Sequence, residues 1–384
     1  MLPPVLGEAR LLRSIGTKEG EAMHSWKEFD LTPKGIEDWI SWYALTRENV
    51  MRCKDGSVLG MIRYQPFEKE QDEDPQEIAL LTHLSKGWTL WIDDTFTGKE
   101  TVHTLFLSWN PFYTMGGKTE NGISGNVTKD DEVDQTFALD LEKFKVCFPK
   151  EANPTILCYQ AYIDSLMQSL TIGRCQKIMP AVPVDLDVYL TYQLPFDFSK
   201  NQVHLGDEVF LVLSVPSAVG QHTPAIQRTL FGLREAGLPY RHVERILCFS
   251  KKEAQKEYTK YMERWCPSRQ YMQDFLTEDL HGNLYGWYNH QIILLIPSVE
   301  YARAVQYITK IFYEEGMLFQ IEDFDAKDFW WGALPGIFRA GLKPPICSFE
   351  SIKDLLKTKE KKDSPASQES ERKGNANVST KLIS

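Results

Sequence analysis

Tyr240-Arg241-His242-Val243-Glu244-Arg245-Ile246-Leu247-Cys248-Phe249 reads as a strand, and the charged, amphipathic run Lys251 to Trp265 behind it reads as a helix. Working outward, the same alternation of periods continues. Upstream, Ile226, Leu230 and Leu233 place a helix over Thr223 to Ala236, with Gly237 as its stop, and Val209 to Val215 is a strand. Asp187 to Tyr192 reads as a further strand, beyond a polar excursion. Downstream, Tyr288 to Ile296 is a strand. Tyr301, Val305, Ile308 and Phe312 then give a helix before Gly316, and Met317 to Ile321 is a last strand. Strand-helix-strand, helix, strand-helix-strand is the order of a split βαβ, ferredoxin-like unit with an extra helical segment near residues 269–280.

The first half is more loosely patterned. Residues 1–30 carry little periodicity. Ile36, Trp39, Ile40 and Tyr43 recur at helical spacing; Trp39, Trp42 and Tyr43 could face a membrane surface, burial being the commoner fate. Residues 49–52 and Val58 to Tyr64, joined by Lys54-Asp55-Gly56-Ser57, give a hairpin signal, because Asp-Gly suits a tight primed turn. Asp74-Pro75 opens a helix, with Asp as N-cap and Pro at the first position; Ile78, Leu81 and Leu84 share one face, and Gly87 ends it. Trp88 to Ile92 and Thr101 to Trp109 read as paired strands, and residues 110–128 as a long surface loop. Phe137, Leu141 and Phe144 mark one helix, and Ile163, Leu166 and Leu170 another.

The pattern assigns the chain to the α+β class. It divides into an irregular start (1–30), a first mixed lobe (31–183), a second, ferredoxin-like lobe (184–350) and a tail (351–384). The second lobe closes on Phe329-Trp330-Trp331-Gly332-Ala333-Leu334-Pro335-Gly336, a short apolar helix stopped where Pro335 disfavours the helical region at Leu334. The tail is rich in Lys, Ser and Glu, so it cannot bury enough surface to offset its ordering entropy and is expected to be disordered.

Of the 384 residues, 42% are hydrophobic and 12% aromatic, ample for a core. The formal net charge of -10 argues against a chain devoted to coating nucleic acid. Seven cysteines at irregular spacing, with no CxxC, read as free thiols in a reducing compartment, and the eight scattered histidines form no HxxxH or HExxH metal motif. The best apolar run, Ile292 to Ile296, is strand length. Glu8, Arg10 and Arg13 interrupt any secretory leader at the start, so the product is expected in the cytoplasm.

Chemistry-bearing motifs are few. Gly116-Gly117-Lys118-Thr119 has the ending of a phosphate loop, but Phe112 stands where its leading glycine is needed; Gly98-Lys99 is weaker still. No G-x-S-x-G elbow occurs. Asp185 with Asp187, and Glu322 with Asp323 and Asp325, read as solvated carboxylates at strand ends rather than paired acids. His242 and Glu244, two apart on one strand face, could pair as acid and base, a surface pair being the commoner outcome. Arg234, Arg241, Arg245, Lys251 and Lys252 form the main basic cluster and read as a solvated charged face. None of these supplies a catalytic, cofactor-binding or metal-binding residue.

Several segments, in order, resemble the amino-terminal domain of the CagE/TrbE/VirB family, the ATPases of type IV secretion and conjugal transfer. Lys54-Asp55-Gly56-Ser57 resembles that family's early turn, and Leu84 to Leu90, with Gly87-Trp88, a strand entry. Pro180 to Leu190 resembles that family's Pro…Leu-Asp…Tyr-Leu segment, and Ile178 to Pro183 reads as the connection between the two lobes. Tyr240, Arg241 and Arg245, with Ala254 through Trp265, resemble a Tyr-Arg…Arg…Ala…Trp stretch, and Trp330, Trp331, Leu334, Pro335 and Gly336 the closing Leu-Pro-Gly signature.

The resemblance covers about residues 30–350. It implies a non-catalytic assembly and docking domain at the cytoplasmic face of the bacterial inner membrane, reaching the membrane only through partners. Those partners would be other secretion components, further copies of itself in the ATPase oligomer and a separately encoded ATPase domain. In the family a RecA-like domain with the Walker motifs follows; the chain ends before one, so the expectation is a split or truncated member that is not an enzyme by itself. The residues listed above from Tyr240 to Gly336 are then the candidate interaction residues. Two other readings remain beside it: a DNA-contacting accessory protein of conjugation, and a nucleotide-binding protein using the loop around Lys118.

Overall fold

The structure, a computed structural model, describes residues 42–53, 57–67, 84, 87–110, 130–174, 196–197, 202–214, 223–256, 259, 284–317, 319–322, 326, 329–330, 333, 335 and 346–349. The strands are β1 Trp42–Arg47, β2 Val50–Cys53, β3 Val58–Tyr64, β4 Trp88–Phe96, β5 Thr101–Trp109, β6 Thr155–Ile156, β7 Phe196–Asp197, β8 His204–Leu205, β9 Glu208–Ser214, β10 Tyr240–Phe249, β11 Leu284–Pro297, β12 Gln320–Ile321 and β13 Ile346–Phe349. Among the described residues the helices given in full are α1 Asp130–Val146, α2 Tyr159–Thr171, α3 Thr223–Glu235 and α4 Tyr301–Glu314, and residues 251–256 are also helical. The α+β class is correct.

All thirteen strands among the described residues belong to one sheet. Its main path runs β1-β2-β3-β5-β4-β10-β11-β9-β8-β7, with β6 beside β3, β12 beside β9 and β13 beside β11. Within it the second half has the order β12-β9-β11-β10, fourth-first-third-second in chain order, which is the ferredoxin-like arrangement. The first half repeats it: β6-β3-β5-β4. Each unit is also preceded by a hairpin, β1-β2 or β7-β8, that pairs with its first strand. The two units join through their second strands, β4 and β10, antiparallel from Tyr240↔Phe96 to Leu247↔Thr89. The boundary drawn near residue 183 therefore separates two units of a continuous sheet.

Period decides what each face carries. Because directly opposed residues share a face, Leu90, Ile92, Leu105, Leu107 and Ile246 meet Phe137, Leu141 and Phe144 of α1. On the same face Leu211, Leu213, Tyr240, Ile292, Leu294 and Ile296 meet Ile226, Leu230 and Leu233 of α3 and Ile308 and Phe312 of α4. Gly60 lets α1 lie close on β3, since a Cβ there would stand 2.6 Å from Leu141 Cδ1. The other face packs Trp91, Phe106, Phe210, Val243 and Ile293 under α2 and under the segment holding Ala326, Phe329, Trp330 and Ala333. In both units, then, the segment after the fourth strand crosses to this second face.

Several sequence expectations are met: the hairpin of β2 and β3, the β4-β5 pair, β9, β10, β11 and all four helices, with Gly237 at φ 65 ending α3. Trp42 and Tyr43 differ. Tyr43 is expected at helical spacing with Ile36, Trp39 and Ile40, but both Trp42 and Tyr43 stand in β1, held by pairing with β2. β6, β7, β8, β12 and β13 were not individually foreseen, apart from β12 inside a longer strand; at two to four residues each they have no period of their own. The expected helix at 74–87 apart from Leu84 and Gly87, the loop near Lys118, the 178–183 connection, the strand at 187–192 and the tail lie outside the described residues.

Candidate functional site

β10 is buried along its whole length, although it carries Arg241, His242, Glu244 and Arg245. The reason is that both faces of the sheet are covered there, so polar residues that would ordinarily be solvated must find partners inside. The strand divides them by parity.

Toward the second face, Arg241 Nε donates to Asp93 Oδ2 at 2.5 Å and Arg241 Nη2 to the carbonyl of Ala333 at 2.9 Å. Asp93 also accepts from Thr95 Oγ1 at 2.7 Å. Burial pushes the Asp93 carboxyl up; Arg241, and the hydrogen bonds from Thr95 and Arg241, oppose it. Arg245 is 5% exposed, and burial pulls its guanidinium down to about 10.

Toward the first face, four neighbouring strands place one polar cluster at the junction of the two units. Nδ1 of His103 on β5 lies 2.6 Å from Oδ1 of Asp94 on β4, and Nδ1 of His242 on β10 lies 3.4 Å from Oδ2 of the same carboxylate. His242 Nε2 then meets His290 Nε2 on β11 at 2.6 Å, with the rings at 76°. Glu244 Oε1 is 3.8 Å from His242 Nε2, and Glu244 Oε2 accepts from Tyr288 Oη at 2.8 Å. Tyr64 of β3 packs against His103 with ring centroids 5.9 Å apart. Burial, then the charges of Asp94, Glu244 and Asp93, push its phenol well above the ordinary range. His242 and Glu244 are thus brought together, but as buried groups rather than a surface pair.

Burial alone would raise the Asp94 carboxyl. The charge and hydrogen bond of His103, followed by those of His242, overcome it and hold Asp94 well below the ordinary carboxylate range. A carboxylate depressed in the folded state stabilises fully above its unfolded value, about 3.9, and loses that contribution as pH falls through the folded value. Removing the cation shrinks the depression. His103→Gln is therefore expected to lower stability over the whole range above about pH 4 and to move the acid-unfolding midpoint to higher pH, the deficit fading only in stronger acid; circular dichroism against pH measures both.

The sequence-derived candidates divide by burial. Tyr240, Arg241, Arg245 and Trp330 are 1%, 2%, 5% and 1% exposed, and Pro335 is buried. They are structural anchors, and the solvated basic face expected of Arg241 and Arg245 does not form, since β10 is covered on both sides. Lys251 and Lys252 remain exposed. Trp331, Leu334, Gly336 and Trp265 lie outside the described residues, as do Asp185, Asp187, Asp323 and Asp325. Glu322, expected to be solvated, is 6% exposed and accepts from Ser214 Oγ. Sequence reading missed Asp94, His103 and His290: only pairing across four strands assembles them. Among the described residues no group of three or more His, Cys, Asp or Glu side chains is arranged to hold a metal ion. No family model matches the sequence, and no curated protein matches it.

Proposed function

We propose that this chain is a non-catalytic assembly and docking domain of the kind that opens the CagE/TrbE/VirB ATPases, serving type IV secretion or conjugal transfer at the cytoplasmic face of the inner membrane. One observation carries the reading. Two of the segments on which the resemblance rests meet at a single buried ion pair, whose acid stands three residues beyond a third. Asp93 follows Gly87-Trp88 on β4, Arg241 stands in the Tyr-Arg stretch of β10, and the Ala333 carbonyl belongs to the closing signature.

On this reading the signature residues hold the domain together, and partners are met elsewhere. Phe231 on α3 and Tyr307 and Tyr313 on α4 are 57%, 46% and 83% exposed on the helices covering the second unit. Aromatic side chains supply much of the energy at protein interfaces. No described helix is long and apolar enough to cross a membrane; in this proposal the membrane is reached through partners, which are the channel components, a separate ATPase chain and further copies of the domain.

The test is co-expression of the full chain with its cognate ATPase chain and inner-membrane channel components, followed by affinity capture. The proposal expects at least one to be retained, and expects Phe231→Glu with Tyr313→Glu to cut retention about tenfold or more, a loss of roughly 1.4 kcal/mol, with thermal unfolding unchanged. Capture of none of them by the wild-type chain contradicts it.

A further inference from the structure

We propose that the outer row of α4 is a self-complementary docking surface whose partner is α4 of a second copy of this chain, turned end over end. Arg303, Tyr307, Lys310 and Glu314 follow one another at spacings of four, three and four, so they stand in one row along the helix. All four are exposed, while Ile308 and Phe312 on the opposite side are buried against the sheet. The buried side holds α4 in place, which leaves the row available to a partner.

The order of these side chains selects the partner. Two copies of the row, laid antiparallel about a two-fold axis midway along it, place Arg303 against Glu314 of the second copy and Tyr307 against its Lys310. The symmetry repeats both contacts, giving two ion pairs and two cations over aromatic rings. A parallel arrangement sets Arg303 against Arg303 and Glu314 against Glu314, which repel. Within one chain Lys310 Nζ lies 3.7 Å from Glu314 Oε1, but both side chains are more than half exposed and the pair holds neither firmly. Glu314 keeps an oxygen for Arg303 of the second copy. Tyr313 stands on one flank of the row, opposite Ala302 and Gln306 of the second copy, which are exposed as well. On the other flank is α3, where Gly232, the neighbour of Phe231, faces Ile311; a Cβ there would stand 3.4 Å from Ile311 Cγ2.

The surface has the size of a weak dimer. Phe231, Tyr307 and Tyr313 are 57%, 46% and 83% exposed. At about 200 Å² per ring they release roughly 700 Å² over two copies. The stems of Arg303 and Lys310 carry the total toward the ~1,000 Å² at which specific association begins. The inference rests on the proposed function in one respect, that further copies of the domain are among its partners; it names the surface through which they meet.

Sedimentation equilibrium of the full chain tests the dimer. The wild type should associate reversibly with a Kd of about 10–100 µM; a chain still monomeric at about 500 µM overturns the proposal. Arg303→Glu alone and Glu314→Arg alone set like charges against each other at both ends of the row. Each should weaken association about tenfold or more, with thermal unfolding unchanged. Mixed one to one, the two variants are complementary again at both ends, and the mixed dimer should form within about threefold of the wild-type Kd. A mixture that associates no better than either variant alone overturns the proposal, as does a wild-type dimer that both substitutions leave intact. Failure here and failure of the functional reading are distinguishable. Capture of a secretion component by a chain that never dimerises overturns this inference alone, whereas a dimer that passes the charge-exchange test but captures none of them contradicts the functional reading alone.

Discussion

Arg241→Met should destabilise the folded chain by about 3–5 kcal/mol, the usual cost of leaving one partner of a buried pair behind. Asp93 is fully buried and Arg241 is 2% exposed, so no water replaces the lost guanidinium. The Ala333 carbonyl also loses a donor. The sign with pH follows from the direction in which Asp93 is already displaced. Its carboxyl is pushed up by burial, and Arg241 opposes that push. Without Arg241 the folded value rises further, and protonation relieves the penalty. The deficit should therefore be smaller at pH 4.5 than at pH 7.5 in denaturant titrations. Asp93→Leu placed on top of Arg241→Met should restore most of the loss, because two apolar groups leave no charge to bury. A surface pair gives the contrast: Lys310 and Glu314, 3.7 Å apart on α4, are worth about 0.5 kcal/mol at most.

Trp330→Ala should cost a comparable amount, about 3–5 kcal/mol. The indole is 1% exposed, and its centroid lies 5.3 Å from that of Phe196 and 5.5 Å from that of Phe210. Truncation leaves a cavity between the closing segment and the first strand of the second unit, and that segment also supplies the Ala333 carbonyl to Arg241. Trp330→Phe keeps part of the packing and should cost less. Tyr313→Ala, on the solvent side of α4, should stay within about 0.5 kcal/mol. A Trp330→Ala variant as stable as wild type in guanidinium would show that the closing segment does not anchor the fold.

The contrast between Trp330 and Arg241 shows what the sequence could reveal. Core packing for an aromatic run before Pro-Gly follows from the apolar spacing around it, and the helices α1 to α4 follow from stripes such as Phe137, Leu141 and Phe144. The ferredoxin-like second unit follows from the order of its elements. The polar residues of β10 were misread for a physical reason. A strand with Arg241, His242, Glu244 and Arg245 reads as half-solvated, because period-two patterning assumes one wet face. Covering of both faces depends on α2 and the closing segment crossing to the far side, which no local pattern encodes. The cluster at the junction was illegible for the same reason. Asp94, His103, His242 and His290 meet only when β4 pairs with β10 across about 150 residues of sequence, and nothing in either strand alone specifies that partner. The repeat of the ferredoxin-like order in the first unit was hidden because its fourth strand, β6, is two residues long.

The ion pair, the histidine cluster and the convergence of the signature segments all depend on one feature, the joining of the two units through β4 and β10. Native-state hydrogen exchange at neutral pH measures it most directly. The slowest amides of Trp88–Phe96 and Tyr240–Phe249 should open with one shared free energy, equal to that of global unfolding by denaturant. Two separate values, with one strand exchanging at a much lower free energy than the other, would mean that the units unfold independently and that the junction described here does not hold them together.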